Sequence, residues 1–222
     1  MRRSVLLRRV RPEYHAAWAR PGPLTRKGGP SVTTAKQHDY PALYEKTIAQ
    51  ARKVLAGVKP DQWSNATPCT DWTVRQLVNH MVSGITRVKY AMNNEQSPIQ
   101  PGQDVLGDNP LASFDKASKE AIATFKAPGA MEKTALGFRG PQPGSAYAYG
   151  QFNDILIHTW DLAKATGQNT TLDKQLVEAD YEIAAPQGER WASPAFGGAD
   201  KPSIGASADT QAKLLALMGR KA

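Results

Sequence analysis

Apolar positions between residues 40 and 218 recur mostly at helical spacing. Leu43, Ile48, Ala51, Val54 and Leu55 fall near a 3.6-residue period and Gly57 follows, which predicts a helix over about 40–57. The stretch Val58 to Trp72 is rich in turn formers, holds two tryptophans and reads as a loop packed across one end of a bundle. Thr73-Val-Arg-Gln76 has the spacing of a capping box, in which Thr accepts from the N–H three residues on and Gln reaches back. Behind it Val74, Leu77, Val78, Met81, Val82, Ile85 and Val88 give a broad apolar face, so a second helix runs over 73–94. After a polar loop at 95–109, Ala112, Ala117, Ala121, Ile122 and Phe125 predict a third helix at 110–126, ended by Pro128-Gly129. Thr134 to Arg139 reads as a short strand or extended link, and Gly140-Pro-Gln-Pro-Gly144 as a cluster of breakers.

A fourth helix is expected from Ser145 to Thr166, with Gly167 as its C′ residue. A fifth follows at 173–185, an irregular Gly/Pro/Ala-rich segment at 186–207, and a closing helix at 209–218. The expected fold is all-α: a four-helix bundle, additional C-terminal helices, and a disordered N-terminal tail.

Charge sharpens the boundary of that tail. The net charge is +8, yet residues 1–37 alone hold nine Lys and Arg against Glu13. That leaves 19 basic and 19 acidic residues in 38–222, so the body is neutral and offers no charge argument for nucleic-acid binding. The tail lacks the apolar core of a secretory signal and could imitate a transit peptide or a nucleic-acid arm. It reads as an unstructured extension, as from an upstream start codon, with one folded domain over 38–222. No apolar run approaches the roughly 18 residues that span a bilayer. Cys69 is the single cysteine, so no intramolecular disulfide forms, which fits a reducing cytoplasm.

The fourth helix places polar residues among apolar ones. Asp154 and His158 are four apart, so on a helix they share a face with Cβ atoms roughly 5–6 Å apart. Phe152, Ile155 and Leu162 flank them and favour an inward direction. A carboxylate and an imidazole so placed suit one divalent ion; they equally suit an ion-paired or hydrogen-bonded helix face. Asp161 lies three residues on and could orient a ligating imidazole or bridge at the helix surface. His80 borders the apolar stripe of the second helix, where a core histidine is the commoner occupant. Two imidazoles and a carboxylate would leave a coordination position open, as in catalytic zinc sites, and also suit non-haem iron or nickel. Cys69 reads as a small hydrophobe, and Trp72 and Trp160 as packing anchors.

The run Thr67-Pro-Cys-Thr-Asp-Trp-Thr-Val-Arg-Gln-Leu-Val-Asn-His80 resembles the start of the second helix in actinobacterial proteins related to mycothiol-dependent maleylpyruvate isomerase. These belong to the wider DinB-like superfamily of metal-binding four-helix bundles. Asp154-Ile-Leu-Ile-His-Thr-Trp-Asp-Leu-Ala163 is similar to that family's second metal motif, and Lys213 to Arg220 resembles one uncharacterised branch. The resemblance spans about 38–220. It implies His80, Asp154 and His158 as metal ligands, and so joins His80 to the other two. In the isomerase the acidic ligand is Glu; Asp154 is one methylene shorter, which bears on metal choice and affinity.

The resemblance further implies a divalent metal (zinc, with nickel or iron as alternatives) and mycothiol as a thiol cosubstrate. A bound cation lowers a thiol's pKa, and the thiolate is the nucleophile. The expected partners are a small-molecule thiol and an electrophilic substrate, with no membrane and no nucleic acid bound by the folded body, in a cytoplasmic monomer or homodimer. The expected function is a thiol-dependent transferase or isomerase; the alternatives are a non-catalytic metal- or ligand-binding module of the same fold, or a structural bundle.

Overall fold

A computed structural model describes residues 38–69, 72–137, 140–191, 202–205 and 207–221. The expected basic tail and part of the irregular 186–207 segment lie outside them. Six α-helices, one small hairpin and short 3-10 helices at Pro60–Gln62 and Ala185–Trp191 make up the regular structure of the described residues: α1 (Tyr40–Ala56), α2 (Val74–Met92), α3 (Pro110–Lys126), β1 (Thr134–Gly137), β2 (Gly140–Pro143), α4 (Gly144–Ala165), α5 (Lys174–Ala184) and α6 (Thr210–Leu217). This is the expected all-α bundle of α1 to α4 with added C-terminal helices.

The helix starts follow from side-chain caps. Asp39, Asn109, Asp173 and Asp209 each accept from a backbone N–H in the first turn of α1, α3, α5 and α6. Thr73 and Gln76 form the capping box of α2. Gly167 ends the α4 region with φ +65°, which only glycine adopts without strain.

The breaker cluster differs from expectation. Gly140–Pro143 is a strand, paired antiparallel to β1 with Ala135 opposite Gln142 and Leu136 opposite Pro141. Gly144 N donates to Lys133 O at 2.7 Å in continuation of this ladder. The alternation of an antiparallel pair then turns the nitrogens of Pro141 and Pro143 outward, where a missing N–H costs no bond. A Cβ at Gly144 would run into the backbone carbonyl of Ala130, so the hairpin enters α4 through the one residue that fits.

Helix α4 is the axis of the fold. It packs against α1 and α2 and the hairpin. Every residue from Ile155 to Ala163 is buried, and 15 of its 22 residues are buried in all. A helix apolar on nearly all sides needs cover on all sides. The 58–72 loop supplies part of it, as expected: Gln62 Nε2 and Asn65 Nδ2 donate to the carbonyls of Thr166 and Ala165 at 3.0 and 3.2 Å. These bonds satisfy acceptors that the helix end leaves open.

A buried carboxylate pins α5 to α4. Asp180 has no exposed surface and accepts from Tyr149 Oη at 3.1 Å and from Asn153 Nδ2 at 2.9 and 3.1 Å. Burial pushes its carboxyl up to about 7, against the partial pull of those two donors. The folded chain therefore holds a proton that the unfolded chain releases above about pH 4. Stability from this group is full at low pH and is lost as pH rises through 7. We expect Asp180→Asn to remove that slope. Urea unfolding at pH 5 and pH 8 should show the wild type losing about 2–3 kcal/mol more than the variant; equal losses would refute the assignment.

Candidate metal centre

The packing of α2 on α4 brings the three expected residues together. His80 Nε2 lies 3.4 and 3.3 Å from Asp154 Oδ1 and Oδ2. His158 Nε2 lies 3.5 Å from Asp154 Oδ1. The two imidazoles stand edge to face with centroids 4.9 Å apart, and one donor atom from each of the three residues falls within 4.8 Å of the others. The side chains of His80 and Asp154 are 38% and 33% exposed and that of His158 only 10%, so the group is open at one rim and closed behind.

The contacts on the two faces of His158 differ in kind. Its Nδ1 meets Asp161 Oδ2 at 2.9 Å, a normal hydrogen-bond length, whereas its Nε2 contact is longer than charged pairs usually make. An Nδ1–H donated to Asp161 leaves the Nε2 lone pair facing Asp154 and His80, the tautomer that a metal ligand needs. Asp161, open between two readings from spacing alone, is not on the helix surface. It is fully buried beneath His158.

Two residues with no assigned role join it there. Cys69 Sγ lies 3.3 Å from Asp161 Oδ2 and 3.8 Å from His158 Nδ1. Arg220 donates to Asp161 through Nε at 3.2 Å and Nη2 at 2.8 Å, and its Nη2 also lies 3.3 Å from Cys69 Sγ. Cys69, His158 and Asp161 thus form a second set of converging donors, but the guanidinium already supplies the cation there. Local spacing could not reveal Arg220, which is 59 residues from its partner. Trp72 does more than anchor packing. Its ring lies 4.7 Å from that of His80 and 5.9 Å from that of His158, forming a wall of the site. Trp160 is buried, as a packing residue would be.

The electrostatics follow from this arrangement. Burial alone would raise the Asp154 carboxyl, but the two imidazoles hold it well below the usual carboxylate range. Burial would likewise lower His158, yet the charge of Asp154 and bonds to Asp154, Asp161 and Cys69 raise it well above an ordinary histidine. Asp161 is held down at about 2, since its bond to His158 and the Arg220 charge outweigh burial. The carboxylates on either side of His158 therefore favour its protonated form.

A protein-family model described as the mycothiol maleylpyruvate isomerase N-terminal domain matches residues 44–163. The match takes in His80, Asp154, His158 and Asp161 and stops short of α5, α6 and Arg220. Two uncharacterized proteins of Mycobacterium tuberculosis, one from each of two strains, are 36% identical over 150 residues, covering 67% of this chain and 77% of each relative. No solved structure matches the chain significantly.

Removing Asp161 would leave Arg220 buried without its counter-charge and take from His158 one of its two carboxylates. Breaking such a pair from one side costs about 3–5 kcal/mol. Asp161→Ala should lose that much in urea unfolding at pH 7, and a loss below about 1 kcal/mol would show that the carboxylate is not the hub of this cluster.

Proposed function

Because the chain belongs to the mycothiol maleylpyruvate isomerase N-terminal domain family, we propose that it binds one divalent ion and acts with a low-molecular-weight thiol on a small electrophile. The observation that carries this reading is the convergence of His80 Nε2, His158 Nε2 and an Asp154 carboxylate oxygen at a half-open rim.

The residues fit the ion by the chemistry of their donors. Two imidazoles and one carboxylate suit zinc, with nickel and iron as alternatives, and three protein ligands leave a position for an outside group. The shorter Asp154, in place of the Glu of the isomerase, still reaches both imidazoles, at 3.3 and 3.5 Å. Asp161 holds the Nδ1–H of His158 and so aims Nε2 at the ion position. Trp72 lies against the ring of His80 and limits its rotation. When bound, the ion would lower the pKa of a thiol at its open position, so that the thiolate predominates at neutral pH. His80 and Asp154, the exposed members, border the opening through which thiol and electrophile would enter. Mycothiol is the thiol that the family points to, and transfer or isomerisation the reaction class. A thiol-dependent role fits the cytoplasm, and a lone cysteine is compatible with it. No described helix is long and apolar enough to cross a membrane.

The first test is metal content by plasma mass spectrometry on wild type and His158→Ala, both purified without a histidine tag. We expect about one divalent ion per chain in the wild type and loss of most of it in the variant. Metal-free wild type that also fails to take up zinc, nickel or iron would sink the reading. Metal without thiol-dependent turnover on a broad electrophile panel would favour a non-catalytic binding module.

Loading should also depend on pH with a definite sign. His158 is raised and must surrender its proton to become a ligand, while Asp154 is already ionised. Apparent zinc affinity should therefore rise with pH across the neutral range. A weakly buffered titration at pH 7 should release protons as zinc binds; pH-independent uptake without proton release would contradict the assignment.

A further inference from the structure

We infer that Arg220 is a positioning residue for the metal centre: it fixes Asp161, which in turn fixes the ring of His158. The inference rests on the metal reading above and extends it to a residue outside the family match at 44–163.

The C-terminal cap of α6 delivers Arg220. Gly219 N donates to Ala216 O at 3.0 Å and Arg220 N to Leu215 O at 2.8 Å, the paired bonds of a Schellman motif. Gly219 has φ +77°, which reverses the chain and favours glycine. Leu214, Leu215 and Met218 are buried and hold this end of α6 in the core. The cap therefore has one orientation, and the next side chain points under His158 rather than into solvent: Arg220 is only 12% exposed.

The guanidinium is itself tied in place. Its Nη1 donates to Met218 O at 2.7 Å, while Nε and Nη2 take the two oxygens of Asp161 at 3.2 and 2.8 Å. A two-pronged fork leaves a carboxylate one orientation, which a single-point cation does not. The oxygen bound at 2.8 Å is the one that meets His158 Nδ1 at 2.9 Å. The path is continuous: Arg220 sets the carboxylate plane, and the carboxylate sets the imidazole.

Burial explains why the carboxylate needs this partner. Asp161 has no exposed surface, and a buried carboxylate is stable only with charge and donors against it. Arg220 supplies that charge through two bonds. Cys69 Sγ lies 3.3 Å from both Asp161 Oδ2 and Arg220 Nη2.

The test uses the full chain as wild type, Arg220→Gln and Arg220→Lys, each checked for a native circular dichroism spectrum. Cobalt(II) is the probe. Arg220→Gln should bind it about 10- to 100-fold more weakly, the range seen when a group behind a ligand is removed. Its visible ligand-field spectrum at saturation should change. Arg220→Lys, which keeps the charge and loses the fork, should recover part of the affinity. In the metal-free proteins, the nitrogen-15 NMR resonance of His158 Nδ1–H should shift and exchange faster in Arg220→Gln.

Unchanged affinity, spectrum and Nδ1–H resonance would overturn the inference. So would lower stability in Arg220→Gln with a wild-type cobalt spectrum at saturation, the mark of a merely structural residue. Wild type that binds no cobalt would sink the metal reading instead, and the metal-free Nδ1–H resonance would still decide whether Arg220 orients His158.

Discussion

A carboxylate with no exposed surface stays ionised only if cations and donors surround it, and Asp161 meets that constraint from three parts of the chain. His158 comes from the next turn of α4, Cys69 from the loop after α1, and Arg220 from the end of α6. Together they close the C-terminal end of α4 and set the back wall of the candidate metal centre. The central helix can therefore carry polar residues through the core without leaving this charge unmatched.

The two ends of His158 thereby acquire different jobs. Its Nδ1 side is dry, crowded and compensated; its Nε2 side faces a rim where His80 and Asp154 are each about a third exposed. Rigidity behind and access in front are what a binding centre needs. Ligands that wander lose affinity, and a site sealed on both sides admits nothing. Trp72 adds to the first requirement, since its ring lies against both imidazoles. Asp180 plays a related part lower on α4, where Asn153, next to Asp154, is held from α5.

The helices were legible from an apolar period of 3.6, with the capping box at Thr73 marking the start of α2; the caps at Asp39, Asn109, Asp173 and Asp209 are seen only in the structure. The hairpin was not, because Gly-Pro-Gln-Pro states only where hydrogen bonds are missing. The pairing register decides whether a missing donor matters. Within the site, Asp154 and His158 were legible as a face, since four residues make one turn. His80 became a partner only through family resemblance, because nothing local says which helix a histidine will meet. Asp161 was ambiguous for a physical reason: three residues from His158, it suits a surface bridge or a buried support equally well, and only burial separates them.

Arg220 marks where local reading ends. A contact across 59 residues leaves no periodic trace, and an arginine near a terminus looks like any solvated charge. The family match also ends before it, at residue 163. The matched segment thus carries the converging donors, whereas the group that neutralises the carboxylate behind them follows α6, past the end of the match. In this fold the candidate ligands and their support reside on separate parts of the chain. A bundle could keep His80, Asp154 and His158 and yet differ in how firmly it holds His158, according to what its C-terminal segment places against Asp161. Local differences of that kind tune metal affinity without altering a single ligand.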